Sequence, residues 1–193
     1  MPDVFDEPAV LRTERLVLRQ VTESDGPGLF DIFGDDQVTA HYAWDTFTSI
    51  EQGHALAEQT ARAYRERDAL RWGLVPHGSE QIIGTCGYTR WNAESRFAIL
   101  GYDLARQYWH RGLATEAVTA VLRFGFEQME LNRVEALVMA GNVASITLLS
   151  RIGFTHEGEL RRRALHRGEF RDVWMFGLLC SEWTVRKLTS NPA

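Results

Sequence analysis

Cysteine is scarce in this chain: Cys86 and Cys180 are the only two among 193 residues. Two thiols are too few for a disulfide framework or a cysteine-rich zinc site. The histidines at 41, 54, 77, 110, 156 and 166 show no metal-ligand spacing, so no metal is expected. Long apolar runs are missing as well. No stretch approaches the roughly 18 residues of a membrane span, and no membrane partner is expected. Residues 1–8 carry three acids and no apolar run, which is not the pattern of a secretory signal. Together these absences lead to the expectation of a cytoplasmic protein. Nor is positive charge in excess. The 21 Lys and Arg stand against 26 Asp and Glu, a net charge of −5, which argues against a nucleic-acid partner held by its phosphates. The basic run Arg161-Arg162-Arg163, with His166, Arg167 and Arg171, would split across the faces of alternating strands and reads as solvated surface.

What is present is ordinary globular composition, 45% hydrophobic and 24% charged, which predicts a packed core. The length suits one domain, taken as 1–193 with its core at about 11–183 and short tails. No internal repeat or linker interrupts it. Residues 15–20 (RLVLRQ) alternate and predict a first strand. Thr22–Asp25 supplies N-cap chemistry for a short helix bearing Leu29, Phe30, Ile32 and Phe33, which Gly34-Asp35-Asp36 breaks. His41–Phe47 has three aromatics without a period and reads as a loop. Ser49 with Gln52 forms a capping-box pattern for a helix to about Arg67. Arg71–Val75 and Gln81–Tyr88, joined at Pro76–Ser79, predict a hairpin. Arg96–Leu104 is a near-continuous apolar strand interrupted by Gly101, where a bulge or a close backbone approach is expected. From Gly112 a helical stripe runs through Leu113, Ala117, Val121 and Phe124. Val134–Met139 then predicts a strand, Ser145–Ile152 a helix, and Phe154–Leu165 with Phe170–Leu179 two closing strands. The alternation points to a mixed α/β layer.

Two strand-to-helix turns carry the chemistry. In Tyr108–Ala117 (YWHRGLATEA), a helix N-terminus offers unpaired N–H groups and the positive end of the dipole, which together attract anions. Gly112 and Ala114 are small enough for a diphosphate to approach the backbone, and His110 and Arg111 add positive charge. An ordinary glycine turn is the competing reading. In Asn142–Ser145, Asn142 is a competent N-cap and Ser145 follows on the first turn. Either both serve the helix, or both face a ligand lying between adjacent strand ends.

YWHRGLATEA, NVASITLLSRIGF (142–154) and EGELR (157–161) occur in this order, after TERLVLRQVTESD (13–25). This constellation resembles the GCN5-related N-acetyltransferases (GNATs), in particular the branch that acetylates N-terminal amines of ribosomal proteins, and it covers about Leu11 to Trp183. The resemblance implies a single-domain GNAT fold: a central mixed, mostly antiparallel sheet of about seven strands flanked by helices, with a splayed cleft between the fourth and fifth strands. It implies acetyl-CoA as donor, an amine as acceptor, direct transfer, and it admits a homodimer. Trp109-His110-Arg111-Gly112-Leu113-Ala114, with Thr115 behind it, becomes the loop whose amides hold the pyrophosphate, Trp109 replacing the usual Gln or Arg. The pantetheine arm would pair beside Tyr102–Leu104, with a bulge near Gly101 aiming an N–H at the thioester. Asn142 would hold the cleft and Ser145 assist thiolate departure, because Leu149 stands where many members carry a catalytic Tyr. Ala164 stands where the branch places a Glu base. His41, Glu94 and Glu116 are candidates by residue type, and the base stays unassigned. Tyr42, Trp44, Tyr88 and Trp91 are expected to frame the acceptor, and Cys86 to be buried. A peptide α-amine leads as acceptor. The alternatives are a small amine (polyamine, amino acid or antibiotic) and a CoA-binding module without turnover. The missing G-x-x-x-x-G-K-[ST] weighs against an ATP site.

Overall fold

Leu16 and Leu18 are fully buried while Val17 and Arg19 are only partly so, the two-residue period of a strand with one face on the core. The computed structural model describes residues 4–6, 9–42 and 44–183. Much of the 1–8 segment, Ala43 in the aromatic loop and the last ten residues lie outside the described set. Among the described residues eight strands form one sheet: β1 (Leu11–Arg12), β2 (Leu16–Gln20), β3 (Leu70–Pro76), β4 (Gly84–Asn92), β5 (Phe97–Leu104), β6 (Arg133–Met139), β7 (Thr155–His166) and β8 (Glu169–Leu179). Their order is β1-β2-β3-β4-β5-β6-β8-β7. Every neighbouring pair is antiparallel except β5 and β6, which are parallel. The strand beyond the expected seven is β1, a two-residue edge piece on Val17–Leu18, too short to show any period in the sequence.

The helices are α1 (Gly26–Phe33), α2 (Asp36–Thr39), α3 (Ile50–Arg65), α4 (Leu113–Glu127) and α5 (Val143–Ile152). The single turn α2 stands where a plain break was expected. Asp35 caps it by accepting the Gln37 N–H at 2.8 Å. Leu29, Ile32 and Phe33 of α1 pack with Ala57 of α3 and with Val21, Val75 and Ile82. Ala117, Val118, Val121 and Leu122 of α4 pack on the opposite side of the sheet with Trp72, Cys86, Tyr88 and Leu100. Gly125 matters there, because a Cβ would stand 2.0 Å from the Tyr88 hydroxyl.

The parallel pair does not run its full length. β5 and β6 are matched from Phe97↔Arg133 to Leu100↔Ala136 and then part. Beyond that point β5 stays with β4 as far as Leu104↔Gly84, whereas β6 follows β8 to Met139↔Val173. The cleft expected between these strands is therefore present. The bulge is not at Gly101. It lies across on β4, where Thr89 is the extra residue between Tyr88↔Leu100 and Arg90↔Ile99. Gly101 answers a close approach instead: a Cβ there would lie 2.8 Å from Arg71 Nη1.

Candidate active site

The chain leaves β5 at Leu104 and enters α4 through Gly112, which adopts the left-handed conformation (φ 76°) as N-cap. Gly112 has no side chain to cap this 15-residue helix, so the N–H groups of Leu113, Ala114 and Thr115 are left without an intrahelical partner at the positive end of its dipole. The space above Gly112 is open, since a Cβ would meet only Arg15 Nη2, at 3.4 Å. His110 also takes positive φ (59°), and both it and Arg111 are exposed. Trp109 turns inward, where its indole N–H donates to the Leu104 carbonyl at 2.7 Å and locks the turn to β5. The residue that pins the loop from outside is Arg15, which sequence reasoning missed. It donates to the Arg111 carbonyl at 2.8 Å and pairs with Glu116 at 2.6 Å. Burial pushes the Glu116 carboxyl up, but hydrogen bonds from Thr13 and Arg15 outweigh it and hold the group below the ordinary range. Glu116 is thus an occupied anchor, not the free base its residue type allowed.

At the second turn, Asn142 caps α5 by accepting the Ser145 N–H at 3.1 Å. The Ser145 hydroxyl lies 2.6 Å from that of Tyr102, whose side chain reaches across the splay from the unmatched end of β5. Burial raises the Tyr102 phenol above the ordinary tyrosine value, more than the Ser145 bond lowers it, so it stays neutral. Leu149 is fully buried on α5. The carbonyls of Tyr102 and Leu104 accept bonds from the Tyr42 hydroxyl (3.3 Å) and the Trp109 indole. A strand-like pairing of a pantetheine arm with these two residues would find their carbonyls already accepting one bond each. The parted strands and the uncapped helix start fit a long thioester with an anionic end.

On the other side of the sheet, Tyr42 and Trp44 pack with ring centroids 4.8 Å apart and planes tilted by 43°, and both lean edge-on against Phe33. Trp44 is 44% exposed. Tyr88 and Trp91 do not join them. Tyr88 is fully buried under α4 and donates to the Val121 carbonyl at 2.9 Å. Trp91 packs against Phe5 at 5.3 Å, with its indole N–H buried. The physical reason is strand alternation: Tyr88 matches Leu100, whereas Tyr42 reaches Asp103, an odd number of residues further along β5 and so on the opposite face. His41 is exposed over part of its surface, and partial desolvation, with His166 nearby, lowers its pKa, while Glu94 sits exposed in the β4–β5 turn.

Two further features were not foreseen. His166, expected with its basic neighbours on a solvated surface, is instead buried at the end of β7 because it packs under the aromatic loop, where its Nδ1 donates to the Tyr42 carbonyl; Arg167 pairs with Asp36. These contacts tie the β7–β8 tip to the aromatic loop. Beneath that loop, Arg71 pairs with Asp103 and donates from Nε to Thr85 Oγ1 at 2.5 Å; Thr85 in turn donates to Asp103 through its N–H (2.9 Å) and hydroxyl (2.8 Å). The available signal was one charge of each sign inside otherwise apolar strands.

Cys86 is fully buried as expected, and burial pushes its thiol up to about 12. A thiol held neutral and out of reach is no nucleophile. Replacing Cys86 by Ala is expected to leave the transfer rate within about twofold, measured as thiol release. Loss of activity in a folded variant would contradict direct transfer.

Among the described residues no cluster of His, Cys, Asp or Glu could hold a metal ion, and no helix is long and apolar enough to cross a membrane. Residues 15–155 match the family described as the acetyltransferase (GNAT) domain. The chain belongs to this family of N-acetyltransferases, whose members generally use acetyl-CoA. The uncharacterized N-acetyltransferase YoaA of Bacillus subtilis is 34% identical over 170 residues, 88% of this chain and 96% of that one. The ribosomal protein uS5-alanine N-acetyltransferase of Escherichia coli is 28% identical over 182 residues, 90% of this chain and 92% of that one. The solved structure of RimL, a ribosomal L7/L12 alpha-N-protein acetyltransferase, superposes with a TM-score of 0.80 over 93% of this chain and 98% of that one. At 18% identity that likeness shows the shared fold.

Proposed function

We propose that the chain, as a single transferase domain working in the cytoplasm, moves the acetyl group of acetyl-CoA directly to the N-terminal α-amine of a peptide or protein. The observation that carries this reading is the parting of β5 and β6 after Leu100↔Ala136, with the uncapped α4 N-terminus beside the cleft and Ser145 across it. The first-turn N–H groups would hold the diphosphate, and the cleft would take the thioester arm. A neutral amine then attacks the thioester carbonyl from the side of Tyr42 and Trp44. As the C–S bond breaks, its electron pair leaves with sulfur beside Ser145, and a hydroxyl donor there lowers the barrier. The peptide acceptor is supported by the alanine N-acetyltransferase activity named for the uS5 relative and by the open aromatic wall, which suits an extended chain.

Calorimetric titration with acetyl-CoA, CoA and ATP, followed by thiol release with alanine- and serine-terminated peptides and with spermidine, tests it. Expected are acetyl-CoA binding, silent ATP, and release with peptides that gain one acetyl group by mass. Turnover of spermidine with all peptides silent would replace the acceptor. Binding without turnover of any amine would leave a CoA-binding module.

A further inference from the structure

We propose that Tyr102 is a positioning residue for this transfer: its phenol donates to Ser145 Oγ and so turns the serine hydroxyl proton into the cleft, toward the departing sulfur. The inference rests on the transferase reading and adds a residue to it. Tyr102 lies just past the last β5–β6 match, and its hydroxyl meets Ser145 at 2.6 Å. The contact accommodates either direction, and the donor role is assigned to the phenol, the stronger acid of the two. Because it is half-buried, with its pKa raised by desolvation, it keeps that proton at neutral pH. Ser145 is then held from two sides, by Asn142 on its N–H and by Tyr102 on its oxygen. Its own O–H is the one group left to point outward. A hydroxyl that accepts a bond is polarised and becomes a better donor in turn.

Tyr102 is itself fixed from the far side of the sheet, where the Tyr42 hydroxyl bonds its carbonyl at 3.3 Å. The acceptor-side loop and the thiolate-side serine therefore meet in one residue. No proton need pass through the pair. The amine gives its proton to water, sulfur leaves with the C–S electron pair, Ser145 keeps its proton while hydrogen-bonding the thiolate, and the thiolate takes a proton from water. Leu149, buried on the same helix, offers no hydroxyl for the task.

The test is a double-mutant cycle on the full chain with Tyr102→Phe, Ser145→Ala and both together. Acetyl-CoA is the donor, and the acceptor is the amine with the fastest wild-type thiol release. Tyr102→Phe should lower kcat about tenfold with the KM for acetyl-CoA within about twofold, the size expected for one oriented hydrogen bond. The double variant should be no slower than Ser145→Ala, because the phenol acts only through the serine. Circular dichroism and calorimetric acetyl-CoA binding show that each variant is folded and loaded. Unchanged kcat in Tyr102→Phe overturns the proposal. So does a double variant whose losses multiply, or a fall in kcat matched by weakened acetyl-CoA binding, since both indicate packing. A wild type that releases no thiol with any amine fails earlier and separately, at the transferase reading.

Discussion

Gly112→Val is expected to raise the KM for acetyl-CoA by ten- to a hundredfold while the protein still folds. Two effects add. Gly112 sits at φ 76°, where an L-residue is disfavoured by about 1–2 kcal/mol and a β-branched one by more. A valine also stands over the first-turn N–H groups, which an anion reaches only by touching the backbone. Losing about one charge-assisted hydrogen bond costs about 1.5–3 kcal/mol of binding, which is roughly that range of KM. The fold should tolerate the change, because the space over Gly112 is open apart from the flexible end of Arg15. Calorimetric affinity and KM should move together and kcat much less. Gly112→Ala should show a smaller loss in the same direction. An unchanged KM in a folded Gly112→Val protein would remove this loop as the diphosphate site.

Asp103→Asn is expected to be the most destabilising single change in the site, by about 3–5 kcal/mol. Asp103 is fully buried and its partner Arg71 is 17% exposed, so the neutral amide leaves a guanidinium in the sheet with no counter-charge. The midpoint of thermal unfolding should fall by about 10 °C. Arg71→Met made together with Asp103→Asn should recover much of the loss, since asparagine keeps an acceptor for the Thr85 N–H and the stranded cation is gone. Thermal melts of the single and double variants decide this. If the double variant is less stable than Asp103→Asn, the ion pair is not what Asp103 supplies.

The parts of the fold that were legible beforehand are those governed by short-range periodicity. The two-residue alternation of Leu16 and Leu18, the stripe of Leu113, Ala117 and Val121, and the capping residues Ser49 and Asn142 all describe contacts within one element, which local sequence encodes. The glycine at 101 announced a close approach, but nothing nearby named Arg71 as what approaches. The loop at 109–115 was legible because a helix N-terminus and a glycine suffice to define it. Arg15, which fastens that loop, was not, because it lies about a hundred residues away along the chain.

The aromatic wall shows the same division most clearly. Tyr42, Trp44, Tyr88 and Trp91 are alike by residue type, and the sequence offered no means of sorting them. The sheet sorts them, because register decides which face a strand residue occupies and a one-residue difference reverses it. Sequence alone determined the family pattern, the order of the longer strands and helices, and the two turns with their small and capping residues. Tertiary structure decided that Tyr88 belongs to the core, that Glu116 is spent on Arg15, that Arg71 and Asp103 share a buried bridge, and that Tyr102 meets Ser145 across the parted strands. Those are pairings between residues distant in the chain, which exist only once strand register and helix placement bring them within hydrogen-bond reach.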